Sequence, residues 1–149
     1  MSMSKRIMVV AVSLLLLAVL VAGCRAKQKS DSSNGNISKS EVEKVELLYF
    51  HPRIRCLSCN NIEKYAQEVA VKDFSSKMKD GKLKFESLRI EDPANKALVD
   101  EFDVGGSSLY IVASGNGKKV HHPIKDVWLY WDKEGKCKEI VRNELSEYL

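Results

Sequence analysis

Four cysteines, three histidines and a mixed set of charges are the chemistry-bearing residues of this 149-residue chain. Cys56 and Cys59 are separated by Leu57 and Ser58, which gives the spacing C-x-x-C. Two thiols at that spacing at the start of a helix face each other within one turn. They are suited to thiol–disulfide exchange, in which a thiolate attacks a disulfide sulfur and a second thiol resolves the mixed disulfide. Spacing alone is weak evidence, and context decides. Upstream, Val45–Phe50 reads Val-Glu-Leu-Leu-Tyr-Phe, a short run apolar at every position but Glu46, of the kind that forms a strand buried on both faces. Downstream, Ile62, Tyr65, Ala66, Val69 and Ala70 recur at steps of three and four, one face of an amphipathic helix. The pair therefore falls between a buried strand and a helix start.

That position favours an anion. The N-terminus of a helix carries roughly half a positive charge, which lowers a thiol pKa from ~8.5 toward ~7 or below. The sequence adds Arg55 beside Cys56, and Arg53 close by, as cations expected to act the same way. Cys56 is the expected nucleophile and Cys59 the resolving thiol. His51, at the end of the strand, offers either a tuning group or a third metal ligand, against the plainer reading of a packing histidine.

Other readings of the pair compete. A structural zinc site wants a second ligand pair at similar spacing, and the chain has none. A soft metal or metalloid carrier (copper, zinc or arsenite) remains the alternative function, together with a non-catalytic binding module. Cys137 lies on the apolar face of the last helical stretch and reads as a small buried hydrophobe. His121-His122, before Pro123, read as exposed turn residues. Trp128, Tyr130 and Trp131 read as core packing more readily than as a partner surface. Gly105-Gly106-Ser107-Ser108 lacks the lysine of a phosphate loop. The residues call for no cofactor.

The elements that must position the dithiol can be followed along the chain. After the first strand and helix, a second helical stretch carries Phe74 and Met78 and stops at Gly81. Leu83–Ile90 is a strand whose alternation slips phase near Ser87. Pro93 opens a short helix with Ala97, Leu98 and Phe102, broken by Gly105-Gly106. Leu109–Val112 is a buried strand, and Gly115-Asn116-Gly117 turns the chain into Lys118–His122. Cys137, Ile140, Val141, Leu145, Tyr148 and Leu149 mark a final helix. The strand–helix–strand units predict parallel pairing and the late hairpin one antiparallel pair. This order resembles that of the thioredoxin fold: an α/β domain with a four-stranded mixed sheet flanked by helices.

The N-terminus reads as a targeting signal. Met1–Arg6 is basic, Ile7–Val21 is apolar except for Ser13, and small residues follow. Val21-Ala22-Gly23-Cys24 resembles the lipobox of bacterial lipoproteins, which implies cleavage before Cys24 and lipidation of its thiol. The competing reading, a plain membrane span, needs ~20 apolar residues. The predicted division is a signal over 1–23, a flexible tether over 24–42 and a domain over 43–149. The tether is rich in Ser, Lys and Asn and too polar to fold; it would reach about 20–25 Å. Both N-terminal readings place the domain in a periplasmic or extracellular space where disulfides persist.

Charge excludes one class of partner. The net charge of +4 falls to +2 without residues 1–23, with 22 Lys and Arg against 20 Asp and Glu. No basic stripe with interleaved aromatics runs along the chain, so nucleic acid is not expected. The expected partners are a redox protein or a small thiol or disulfide, and the membrane through the lipid anchor. The domain is expected to be monomeric.

The segment Tyr49-Phe50-His51, Arg55-Cys56-Leu57-Ser58-Cys59-Asn60-Asn61-Ile62-Glu63-Lys64-Tyr65-Ala66 resembles a branch of the thioredoxin superfamily, the nitrophenyl compound nitroreductase subunit ArsF family. The resemblance runs over about 44–149, with Asp92, Asn95-Lys96 and Ser108-Leu109-Tyr110-Ile111-Val112 also fitting. It implies a thioredoxin-like fold and a reactive dithiol. The chain departs from ordinary thioredoxins at three places. Ser107-Ser108 stand where those carry a cis-proline, with Ser108 the expected supporting residue. Leu47–Phe50 lacks a buried aspartate, and the residues between the cysteines are Leu-Ser. The missing proline raises the prospect of metal binding at the two sulfurs.

Overall fold

A computed structural model describes residues 37–149. Its centre is a four-stranded sheet in the order β2-β1-β3-β4, made of β1 (Lys44–His51), β2 (Leu83–Arg89), β3 (Ser108–Gly115) and β4 (Lys118–Pro123). β1 and β2 are parallel, whereas β3 runs antiparallel to both β1 and β4. The hairpin was expected to supply one antiparallel pair; the sheet has two, because β3 inserts beside β1 in the reverse direction. Strand order and directions are those of the thioredoxin fold.

Helices cover both faces. α1 (Leu57–Glu68) continues through a wider π turn (Val69–Asp73) into α2 (Ser75–Lys79). α3 (Lys96–Glu101) follows β2, and α4 (Glu134–Ser146) ends the chain. β1 alternates between the two sides. Val45, Leu47 and Tyr49 join Ile62, Tyr65, Ala66, Ile111, Val141 and Leu145 in the larger core. Leu48 and Phe50 join Leu88, Phe102 and Val112 in a second core beneath α3. Burial of this kind contributes roughly 1.5–3 kcal/mol per large side chain. Two covered faces explain why β1 is apolar at every position from Leu47 to Phe50. They also explain the phase slip in β2. Leu83 and Phe85 serve the larger core, while Leu88 and Ile90 serve the second.

The hairpin turn has Asn116 at φ 50° and Gly117 at φ 73°. Two positive values across a two-residue loop match the twist of the flanking strands. The expected turn histidines lie in β4 instead, because pairing with β3 extends through Pro123. His121 stacks on Phe102 with ring centroids 4.3 Å apart, and His122 Nε2 lies 2.7 Å from a Glu144 oxygen. Trp128 and Trp131 pack against the larger core, as expected of them.

Residues 37–42, which the sequence assigns to the tether, make contacts with the domain. Ile37 touches the core and Val42 is buried. A short turn over Lys39–Glu41 is closed by reciprocal bonds between Ser38 and Glu41. Lys39 Nζ reaches the Ser146 carbonyl at 2.8 Å, and Glu43 N–H donates to the Ser114 carbonyl at 2.9 Å. The polar composition of this stretch conceals those anchors. The expected signal, the expected lipidation site Cys24 and the expected tether up to residue 36 lie outside the described residues. Among the described residues, no helix is long and apolar enough to cross a membrane.

Candidate functional site

Pro52 has no N–H to continue a ladder, and β1 ends at His51. The chain then turns through 52–55, where Glu91 accepts the Arg53 backbone N–H at 3.0 Å. Cys56 follows in extended conformation, φ −84° and ψ 169°, as the residue capping α1. Helix caps usually present a Ser, Thr, Asp or Asn oxygen to the free backbone N–H groups of the first turn. Here the acceptor is sulfur: Cys59 N–H points at Cys56 Sγ at 3.4 Å.

The two sulfurs are 2.6 Å apart and both thiols are free. Cys56 is exposed, whereas Cys59 is 7% exposed. Ser58 Oγ lies 3.0 Å from Cys56 Sγ. The Cys59 thiol, then the Ser58 hydroxyl, then the Cys59 backbone N–H hold the Cys56 anion and pull its pKa down to about 7. Ile54 and Leu57, either side of Cys56, are 88% and 66% exposed. The Cys56 sulfur is thus open to solvent, and the Cys59 sulfur lies behind it.

The expected help from arginine is absent. Arg55 turns from Cys56 and pairs with the Glu63 carboxylate on α1, which also accepts from Ser87 of β2. The guanidinium carbon sits 5.7 Å from the Tyr49 ring centroid. Arg53 lines a cleft with Pro52, Ile54, Arg89 and Glu91. Neither guanidinium hydrogen-bonds Cys56 Sγ, whose partners are Ser58 and Cys59. Adjacency in sequence failed as a guide because the extended cap residue points its neighbour's side chain elsewhere.

His51 also stays apart. Its Nδ1 lies 3.0 Å from the Pro52 carbonyl, and its ring stacks on Tyr49 at 6.1 Å. Among the described residues no three His, Cys, Asp or Glu side chains are placed to share a metal ion. His51 therefore does not supply the third ligand the sequence offered.

Ser108 is not the serine that meets the dithiol. As the first residue of β3 it pairs with Phe50, and its Oγ donates to the Gly106 carbonyl at 3.2 Å. Ser107, one residue earlier, donates to Cys59 Sγ at 3.3 Å. The alternation of a strand start sends successive side chains to opposite sides, so only one of the pair can face α1.

Tyr49 went unassigned in the sequence because it reads as core. Its ring is buried in β1, and its hydroxyl donates to the Cys59 carbonyl at 2.8 Å. Burial pushes the phenol up to about 12, against the opposing effect of the Ser107 hydroxyl, so it stays neutral. A buried tyrosine hydroxyl needs a partner, and that need is the signal in the sequence that points to it. Cys137 lies fully buried on α4, its thiol raised to about 11 by burial.

No protein-family model matches the chain, and no curated protein does. It is similar to a solved structure, the solution structure of a thioredoxin from Thermus thermophilus. Identity is 12%, the match covers 70% of this chain and 76% of that one, and the TM-score is 0.42. The fold assignment itself rests on the strand order and directions, and the site on the cysteine pair at the head of α1.

Proposed function

We propose that this chain is a thiol–disulfide oxidoreductase acting outside the cytoplasm from a lipid anchor at Cys24. Cys56 is the nucleophile and Cys59 the resolving thiol. One observation carries the reading: an exposed sulfur caps a helix, accepts a backbone N–H, and has a second, buried sulfur 2.6 Å away. Attack by the Cys56 thiolate on a substrate disulfide forms a mixed disulfide and releases one thiol. Attack by Cys59 on Cys56 then closes the protein disulfide and releases the other. The reverse sequence oxidises a dithiol. The partner is a redox protein or a small thiol or disulfide, and the domain works as a monomer.

The basic–apolar–small sequence ending at Cys24 supports the anchor, and an oxidising compartment suits a dithiol that cycles. The test is insulin reduction together with trapping. Cys56→Ser should abolish turnover, and Cys59→Ser should accumulate a mixed disulfide on Cys56. Unchanged turnover in Cys56→Ser, with nothing trapped by Cys59→Ser, would refute the redox reading. Metabolic labelling with a fatty acid tests the anchor separately: Cys24→Ala should lose the label and the membrane association.

A further inference from the structure

Once Cys56 is tied to substrate, the reaction depends on Cys59, which must attack as a thiolate from a buried position. A donor at that sulfur would hold the anion during the attack. The groups around it are few. Tyr49 reaches the Cys59 carbonyl, so its hydroxyl hydrogen is committed there. Glu63 is occupied by Arg55 and Ser87. Cys56 Sγ is the atom under attack. What remains within hydrogen-bond distance of Cys59 Sγ is the Ser107 hydroxyl, at 3.3 Å; the same hydroxyl also neighbours the Tyr49 phenol, and its one hydrogen can turn to the sulfur because the phenol stays neutral.

We propose that Ser107 is the hydrogen-bond donor that stabilises the Cys59 thiolate during resolution of the mixed disulfide. The inference rests on the redox reading and adds a residue to it. Two clamps then fix one cysteine: Tyr49 holds its backbone and Ser107 its sulfur. Ser107 is itself placed by the ladder of β3, through the Ser108–Phe50 pairing, and by the Ser108 Oγ bond that braces Gly106. In the step, the Cys59 thiol loses its proton and the Ser107 O–H donates to the resulting anion without giving up its hydrogen. The Cys59–Cys56 bond forms as the Cys56–substrate bond breaks. The proton from Cys59 passes through solvent to the departing substrate thiolate. Substrate disulfide is reduced and the protein dithiol oxidised.

Ellman's reagent separates the two steps, because attack by Cys56 releases one coloured thiolate and attack by Cys59 the second. The full chain is used with Cys24→Ala and Cys137→Ala, so that only the pair reports. Ser107→Ala should leave the first release unchanged and slow the second about tenfold near neutral pH. It should also move the pH profile of the second release upward. Ser107→Thr, which keeps the hydroxyl, should restore both. An unchanged second release in Ser107→Ala overturns the proposal. So does a slowing with an unmoved pH profile, which would mark a packing role. Absence of a second release in the unmodified pair overturns the redox reading itself.

Discussion

Arg55 and Glu63 form an ion pair that ties the loop before α1 to the helix body, with both side chains about four-fifths buried: 23% and 20% exposed. Ser87 adds a third contact from β2 to the same carboxylate. The guanidinium thus holds the loop carrying Cys56 against the fold and leaves the sulfur to the Cys59 thiol, Ser58 and the backbone. Arg55→Ala should destabilise the domain by about 1.5–3 kcal/mol, the usual scale for hydrogen bonds to charged groups. Arg55→Ala and Glu63→Ala together should cost less than the sum of the two. The Cys56 titration should stay where it is. Chemical denaturation and the pH dependence of alkylation measure the two quantities. A large upward move of the Cys56 titration in Arg55→Ala would restore the arginine to the thiolate.

Alkylation of Cys56 should titrate with a midpoint of about 7. Cys59→Ala removes the leading donor and Ser58→Ala the next, so each should raise the midpoint, Cys59→Ala more. The sign for stability follows. The folded thiol ionises below its ordinary value near 9, so the folded state favours the anion. That contribution is complete above about 9 and lost as pH falls through 7. The reduced domain should therefore gain stability over Cys56→Ser as pH rises across this window. Denaturation midpoints of the two proteins, compared at both ends, check it. The same preference favours the reduced form and makes the disulfide more oxidising.

The sheet was legible because burial on two faces leaves a clear trace: Leu47–Phe50 and Leu109–Val112 are apolar without interruption. The helix behind the dithiol was legible from Ile62, Tyr65 and Ala66, whose steps of three and one mark a single buried face. Side-chain direction was not legible. Arg55 next to Cys56, Ser108 next to Ser107, and His51 at the strand end all lie close in sequence to the pair. Which of them faces it depends on the dihedrals of single residues and on competing partners such as Glu63, the Gly106 carbonyl and Tyr49. The antiparallel placement of β3 beside β1 is likewise set by the whole sheet and leaves no local mark. The ordered stretch 37–42 was hidden because its anchors are hydrogen bonds and one buried valine, with no apolar run.

Cys137 should be inert while the domain is folded. Its sulfur is inaccessible and burial raises it to about 11, so almost no thiolate forms at neutral pH. Brief treatment of the reduced domain with iodoacetamide at pH 7 should modify Cys56 and spare Cys137. Mass spectrometry of the peptides reads the result. Cys137→Ala should leave turnover intact and cost about 1 kcal/mol, as for loss of one buried heavy atom. Loss of turnover on this substitution would mean that Cys137 joins the redox cycle.

Gly115 controls whether the segment before β1 can cross the end of β3. A side-chain carbon at that position would stand 1.8 Å from the Glu41 carbonyl oxygen and 3.0 Å from the Glu43 nitrogen. Both are backbone atoms, so the clash cannot be relieved by a rotamer change. Gly115→Ala should displace the 38–43 stretch and break the Glu43–Ser114 bond, with a loss of about 1–3 kcal/mol, the scale of overpacking. Amide exchange should rise at Glu41–Glu43 and stay low in α1, because the site is held by separate contacts. The Cys56 titration should then be unchanged. Protection retained at Glu43 would show that the crossing does not require a glycine.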